Sequence, residues 1–390
     1  MSKLFRNRWV IVALTVVVTL ALLAACAAAT QEPAAEEPAA EEEMPEEEAA
    51  AEEPAAAEPT EEMAEEETQP AAQEGGSTLD EVIARGTLKC GVNTDLFGFG
   101  YLDDTGRNVG FDVEFCRAIA AAVLGDGEAV EFISLNADQR LPALQTGEID
   151  VLIRNTTWTL TRDADLGLDF TVTTFYDGQG YMVRKGEFNS VEELDGGTIC
   201  VTSGTTTEAN LADDFAARGL TFTPQVFSET SDTNNTFVDG ACDAETSDKS
   251  QLAGLRAASA NPEDYVILPD TISKEPLGPV VRANDSDWRD AVMWTVFAMI
   301  EAEDLGVNQA NVDDFLTSDD VRVQRLLGTG EDDLGALLGL PKDWAYQIIS
   351  QVGSYADVYD AYLTPIGITR EGSLNAHWTE GGLIYSPAFR

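Results

Sequence analysis

A tract that cannot build a core constrains this chain most. From Ala27 to Glu74 the residues are almost all Ala, Glu, Pro and Thr, with 18 glutamates, six prolines and no lysine or arginine. Like charges repel along its length, and Met44 and Met63 are its only large apolar side chains, so burial cannot offset the entropy of ordering it. Residues 27–76 therefore read as a disordered acidic tether. A coil relation near 5–6 Å × √n gives it a reach of about 40 Å. Folding falls to residues 77–390.

Ahead of the tract, Lys3, Arg6 and Arg8 precede an apolar run from Trp9 to Ala25 that ends in Leu-Ala-Ala-Cys at Cys26. A positive start, an apolar middle and small residues at the junction make an export signal; an uncleaved membrane helix is the alternative, since the run is just long enough to span. The junction resembles the lipobox of bacterial lipoproteins. That resemblance implies a signal peptide over 1–26, a lipid on Cys26, and an extracytoplasmic protein anchored to the cell membrane by that lipid alone.

Past the tract, 20 basic residues face 52 acidic ones, a net charge of −32. Such a surface repels nucleic acid and anionic headgroups, which removes both as partners. Cys90, Cys116, Cys200 and Cys242 complete the cysteines. On an exported chain four cysteines can pair in three ways. If the early and middle segments form separate lobes, the pairs are Cys90–Cys116 and Cys200–Cys242. The lack of Cys-x-x-Cys and a single histidine argue against zinc, and no cofactor motif is present.

Strand and helix patterns alternate. "TLDEVIARG" reads as a helix capped at Thr78 with Glu81, "TLKCGV" as a strand, and "FDVEFCRAIAAAVL" as a helix with Asp112 as N-cap. "AVEFISL", "ADQRLPALQTGE" and "IDVLI" continue as strand, helix and strand. A second series follows in "GGTICVTSG", "TTTEANLADDFAARG", "FTPQVF", "SDTNNTFVDGAC", "DAETSD" and "KSQLAGLRAASA". Short connections favour parallel sheets covered by helices. The expected division is lobe one at 77–182 plus 281–390 and lobe two at 183–280, with crossings at 178–187 and 274–285. Two crossings make a hinge.

Ligands collect beyond the carboxyl ends of such strands, where helix N-termini expose unpaired N–H groups. After "IDVLI" come Asn155, Thr157 and Arg162. A guanidinium is shaped to take a carboxylate through two parallel hydrogen bonds. In "SGTTTEAN", Gly204 permits a tight turn, Thr205 caps a helix with Glu208, and Thr206 opens it. Asp248 closes "CDAETSD" and suits an ammonium. Together they describe a pocket for a zwitterion.

The strings "GFDVEFC", "LPALQTGEIDVL", "NTTWTLTRD", "SGTTTE", "CDAETSD" and "ISKEPLGPVVR" resemble the family 3 solute-binding proteins of ABC importers for polar amino acids. "RLLGTGEDDLG", "DWAYQIISQVG" and "LNAHWTEGGLIYSPAFR" narrow the resemblance to the general L-amino-acid-binding subgroup, over residues 77 to 390. The resemblance implies an α/β, two-lobed, periplasmic-binding-protein-like fold, each lobe a sheet flanked by helices and the two joined by hinge segments. It implies a monomer without enzymatic activity that captures L-amino acids and delivers them to permease subunits. It places the α-carboxylate on Arg162, Thr157, Gly204, Thr205 and Thr206, a backbone contact on Asn155, the ammonium on Asp248, and a polar and aromatic wall on Asn93, Phe97 and Phe99. Where many relatives sandwich the side chain with an aromatic, this chain has Ala137, which widens the pocket and suits broad specificity.

Rival readings are defined by the same residues. Arg162 could pair at the surface with Asp163 or Asp165, Asp248 could cap the next helix, and Arg154 could face either the ligand or acidic surface. "DDTGRN" reads as a hairpin turn rather than a calcium loop, and His377 as a packed residue without a catalytic partner. An enzyme on the same scaffold, of dehydratase or lytic transglycosylase type, would need an acid or base at the reacting bond. A sensor subunit is the other alternative.

Overall fold

The computed structural model describes residues 76–390; the signal, Cys26 and the acidic tract lie outside them. β1 (Leu88–Val92) leads through a small meander, β2 (Asp95–Leu96), β3 (Gly100–Leu102) and β4 (Asn108–Val109), into helix Phe111–Leu124. β5 (Val130–Ser134), helix Arg140–Gln145, β6 (Val151–Leu152), helix Leu160–Ala164 and β7 (Leu168–Phe170) follow. β8 (Phe175–Asp177) then crosses to a second series: β9 (Gln179–Arg184), β10 (Gly197–Thr202), β11 (Phe222–Phe227), β12 (Ala244–Asp248) and β13 (Tyr265–Ile267). β14 (Glu275–Leu277) returns beside β8, antiparallel to it, and β15 (Val280–Arg282) rejoins the first sheet.

Two five-stranded sheets result, in the orders β5-β1-β6-β15-β7 and β11-β10-β12-β9-β13. Both are mixed rather than wholly parallel. β15 runs antiparallel to β6 and β7, and β9 antiparallel to β12 and β13. The physical reason is the double crossing: the strand that enters each sheet straight from a crossing has no helix with which to reverse direction. For the same reason the segment 178–187 is not a connector. Its residues 179–184 form β9 inside the second sheet, and the crossing is made by β8, a few residues earlier.

Helix Phe111–Leu124 is buried at every position but the last, as a sequence apolar nearly all round requires. It packs between the first sheet and the helices Ser286–Asp304 and Trp344–Gln351, in one core that includes Phe115, Trp288 and Tyr359. Its N-cap is Gly110, not Asp112. The φ of Gly110 is 130°, and a Cβ there would stand 2.3 Å from the carbonyl oxygen of Phe99, so only glycine admits the turn. Asp112 is thereby freed for another task. The first helix, Thr78–Arg85, is capped by Ser77 rather than Thr78: the Ser77 hydroxyl accepts from the Leu79 N–H at 3.1 Å. The second sheet encloses smaller cores around Tyr181, Val201 and Phe215 and around Cys200, Phe237 and Cys242.

Disulfides join Cys90 to Cys116 and Cys200 to Cys242, the pairing expected from their distribution. Residues 103–108 form the hairpin turn between β3 and β4, where Asp103 Oδ1 accepts from the N–H groups of Thr105 and Arg107. His377 is buried, with Nδ1 2.7 Å from the Thr379 hydroxyl and Nε2 3.1 Å from Asp304. Among the described residues no helix is long and apolar enough to cross a membrane, and no cluster of metal-binding side chains occurs.

Candidate functional site

β6 ends at Leu152, and its continuation enters the space between the two sheets. Asn155 there has a φ of 32°, a backbone conformation that asparagine tolerates better than most residues. Two hydrogen bonds and the strand before it hold it. Its N–H donates to Asp112 Oδ2 at 2.7 Å, its Nδ2 donates to Gln251 of the second lobe at 3.1 Å, and β6 fixes the chain behind it. Asp112 is thus a positioning residue, which sequence reading took for a helix cap. Burial pushes its carboxyl up to about 7 against the pull of that N–H and of Arg154.

Thr157 bridges to Leu277, and its hydroxyl lies 3.4 Å from that of Thr206 across the cleft. Arg162 sits in helix Leu160–Ala164, whose N-cap Thr159 accepts from the Arg162 N–H. Its guanidinium is buried, not a surface partner of Asp163 or Asp165, and Nη1 donates to the Thr157 carbonyl at 2.9 Å. Burial lowers its pKa, while Glu275 and Asp248 pull it back up.

From the second lobe comes the N-terminus of helix Thr206–Arg218. Thr205 caps it by accepting from the Glu208 N–H at 3.2 Å, leaving the next N–H groups without helical partners. Gly204 has a φ of 67° and packs so closely on Asp138 that a Cβ would meet Oδ1 at 2.1 Å. The Thr206 hydroxyl donates to Glu275 Oε2 at 2.8 Å.

Asp248 ends β12 at the N-cap position of helix Lys249–Ala258, yet its side chain makes no capping bond. Its Oδ1 is buried without a partner among the described residues. Burial drives its carboxyl well above the usual range, Asp177 and Glu275 push further, and Arg140 and Arg162 oppose them.

One cavity gathers these groups. Ala137, Arg140, Arg154, Asn155 and Thr157 line it from the first lobe; Thr202, Thr205, Thr206, Thr207, Thr230, Ser247, Asp248 and Gln251 line it from the second. Arg162 stands behind Thr157, within electrostatic reach of Asp248 but not ion-paired with it among the described residues. Further contacts close the cleft: Asn136 Nδ2 donates to Glu229 and the Ser203 hydroxyl donates to Asp138, each at 2.8 Å.

The wall expected from the first strand loop is not at the cavity. Phe99 is wholly buried in the core, edge-on to Phe111 and Phe175. Phe97 stacks obliquely on Tyr101, and Asn93 turns its Oδ1 onto the Asp95 N–H. The meander β2–β4 folds back on helix Phe111–Leu124 and takes these side chains with it. Sequence reading missed Arg140, Gln251, Thr202 and Thr230, which reach the cavity from helix starts and strand ends with no local motif of their own.

A buried cation and a buried acid facing one cavity between hinged lobes define a receptor for a small charged solute. The model of the bacterial extracellular solute-binding proteins, family 3, matches residues 88–308. The chain belongs to that family. It is 47% identical to the general L-amino acid-binding periplasmic protein AapJ of Rhizobium johnstonii over 325 residues, 82% of this chain and 95% of that protein. It is 48% identical, with the same coverage, to the glutamate/glutamine/aspartate/asparagine-binding protein BztA of Rhodobacter capsulatus. A periplasmic binding protein of an ABC transporter from Brucella ovis, solved with glutathione bound, superposes with a TM-score of 0.79 at 47% identity, covering 81% of this chain and all of that one.

Proposed function

We propose that this protein is the extracytoplasmic receptor of an ABC importer and closes its lobes on L-amino acids. The observation that carries the reading is Asp248, buried at one cavity between the two sheets, with the buried Arg162 guanidinium bonded to the carbonyl of the cavity-lining Thr157 and not ion-paired with Asp248 among the described residues. In this reading the α-carboxylate meets Arg162, the Thr157 hydroxyl and the N–H groups at Gly204, Thr205 and Thr206. The ammonium meets Asp248, with the Asn155 backbone beside it. Taking the ligand's charges out of water costs several kcal/mol unless each is paired. Charge-assisted hydrogen bonds contribute about 1.5–3 kcal/mol each, so four or five support affinity of about −8 kcal/mol or tighter.

The names of AapJ and BztA, both amino-acid binders, support this ligand class. Glutathione, held by the Brucella relative, also presents an α-amino acid end. Ala137, where a bulky wall is absent, favours breadth. The protein acts by binding rather than turnover, because Asp248 and Glu275 face cations and hydroxyls rather than a bond to be broken. On this reading the chain changes lobe at β8 and β14, so that 179–182, expected in lobe one, go with β9 in lobe two. The receptor is a monomer held at the membrane by lipid on Cys26.

Isothermal titration with the twenty L-amino acids and glutathione tests the ligand class. Arg162→Ala weakens binding at least about 100-fold while circular dichroism stays unchanged; an unaltered affinity rejects the role of Arg162. Mass spectrometry that finds the bound ligand chemically converted rejects the non-enzymatic reading.

A further inference from the structure

Helix Lys249–Ala258 opens on the cavity, which Asp248 and Gln251 line at its start. An aspartate at the N-cap ordinarily turns its carboxylate back onto the N–H of the second or third helical residue. Asp248 does not. Its side chain makes no capping bond, and its Oδ1 is buried without a partner among the described residues. The first N–H groups of the helix are satisfied all the same. The Lys249 N–H donates to the Gly178 carbonyl at 2.9 Å, and the Ser250 N–H donates to Asp177 Oδ2 at 3.2 Å. The carboxylate that caps the helix thus comes from the last residue of the crossing strand β8.

The backbone holds Asp177 to this task. Its Oδ1 accepts from the Gly178 N–H at 2.8 Å, and β8 is paired with β14 through Phe175, Tyr176 and Asp177. Two residues on, Gln179 pairs with Asp248 itself in the antiparallel register of β9 and β12, which seats the end of β8 against the start of the helix. Glu275, opposite Asp177 in the β8–β14 pair, is occupied elsewhere: its oxygens accept from Thr206, Asn210 and Ser273. Asp177 is not among the residues that line the cavity, and each of its oxygens accepts a backbone N–H. It acts behind Asp248, not on a solute.

A carboxylate cannot cap its own helix and point away from it at once. If the Ser250 N–H is left open, the side chain of Asp248 can reach it by changing rotamer, and an N-cap aspartate gains stability by doing so. That turn takes the carboxylate off the cavity. We infer that Asp177 is a positioning residue for ligand binding: by capping helix Lys249–Ala258 from the crossing strand, it keeps the carboxylate of Asp248 turned to the cavity. This rests on the reading of Asp248 as the partner of the ammonium.

The test is a double-mutant cycle on the full chain, titrated with L-glutamine and L-alanine. Asp177→Ala lowers affinity about 10-fold or more, the worth of one charge-assisted hydrogen bond. Its ligand-free melting temperature stays within about 3 °C of wild type, because Asp248 takes over the cap. Asp177→Asn keeps an acceptor for the Ser250 N–H and holds affinity within about 3-fold of wild type. In the Asp248→Asn background, itself weaker than wild type by about 10-fold or more, Asp177→Ala lowers affinity no further. A role in lobe stability alone lowers affinity equally in both backgrounds; that additive result overturns the inference, as does unchanged affinity in Asp177→Ala. Wild-type affinity in Asp248→Asn overturns instead the pairing of Asp248 with the ammonium, and a wild-type chain that binds neither amino acid overturns the amino-acid reading itself. Should Asp177→Ala not fold, Asp177→Asn decides: affinity within about 3-fold of wild type upholds capping, and a loss of about 10-fold or more overturns it in favour of charge.

Discussion

Asp248 stands at the end of β12 with its buried Oδ1 unpartnered among the described residues, in the field of Asp177, Glu275, Arg140 and Arg162. Burial also raises the Asp177 carboxyl, to about 6. Since the folded value of Asp248 lies above its unfolded one, its contribution to ligand-free stability is fully present below about pH 4 and is lost as pH rises through the raised value. An ammonium at Asp248 reverses this by favouring the carboxylate, so binding expels a proton wherever the free protein still holds one. Ligand affinity accordingly falls on acidification. The rise in melting temperature produced by saturating L-amino acid is larger at about pH 8 than at about pH 5, and Asp248→Asn flattens the difference; a shift independent of pH would remove Asp248 from the ammonium. Asp248 and Thr205 were legible from the chain because each lies where a strand ends or a helix begins. Phe99 was not, because nothing local says whether a loop aromatic turns to the cleft or to the core.

At the scale of elements, helix Lys249–Ala258 meets the loop after β2 across the cleft. A Cβ on Gly254 would stand 2.4 Å from the Phe97 carbonyl oxygen, a backbone atom that cannot step aside. Within a helix alanine is favoured over glycine by about 1 kcal/mol, so Gly254→Ala supports its own helix yet holds the lobes apart. The variant loses about 10-fold or more in ligand affinity without touching ligand, and small-angle scattering shows it failing to compact on ligand addition. Unchanged affinity would show that this contact does not govern closure. The helices of both lobes were legible from their periodicity and caps. The direction of β9 and β15 was not, since a strand's orientation is set by the crossing that delivers it.

For the molecule as a whole, the export pattern ending in Cys26 and the acidic tract beyond it belong to one expected arrangement, a receptor held near the membrane. Cys26→Ser moves the protein from the membrane fraction to the soluble one and abolishes labelling by a palmitate analogue; retention of the variant in membranes would point to an uncleaved helix instead. The net charge of −32 over residues 75–390 repels an anionic membrane surface, so the folded region supplies no electrostatic attachment of its own.

By itself the sequence determined the separation of a foldable region from a tract without a core, the two α/β series, and the segments at or after the ends of two strands that carry Asn155, Thr157, Arg162 and Asp248. Those features depend on composition, period and neighbours in the chain. Only the tertiary structure decided that Asp112 fastens Asn155, that Phe99 belongs to the core, and that Arg140, Arg154 and Gln251 share a cavity with Asp248. Such contacts join residues far apart in sequence, and their geometry follows from how two sheets pack across a hinge, which no local pattern encodes.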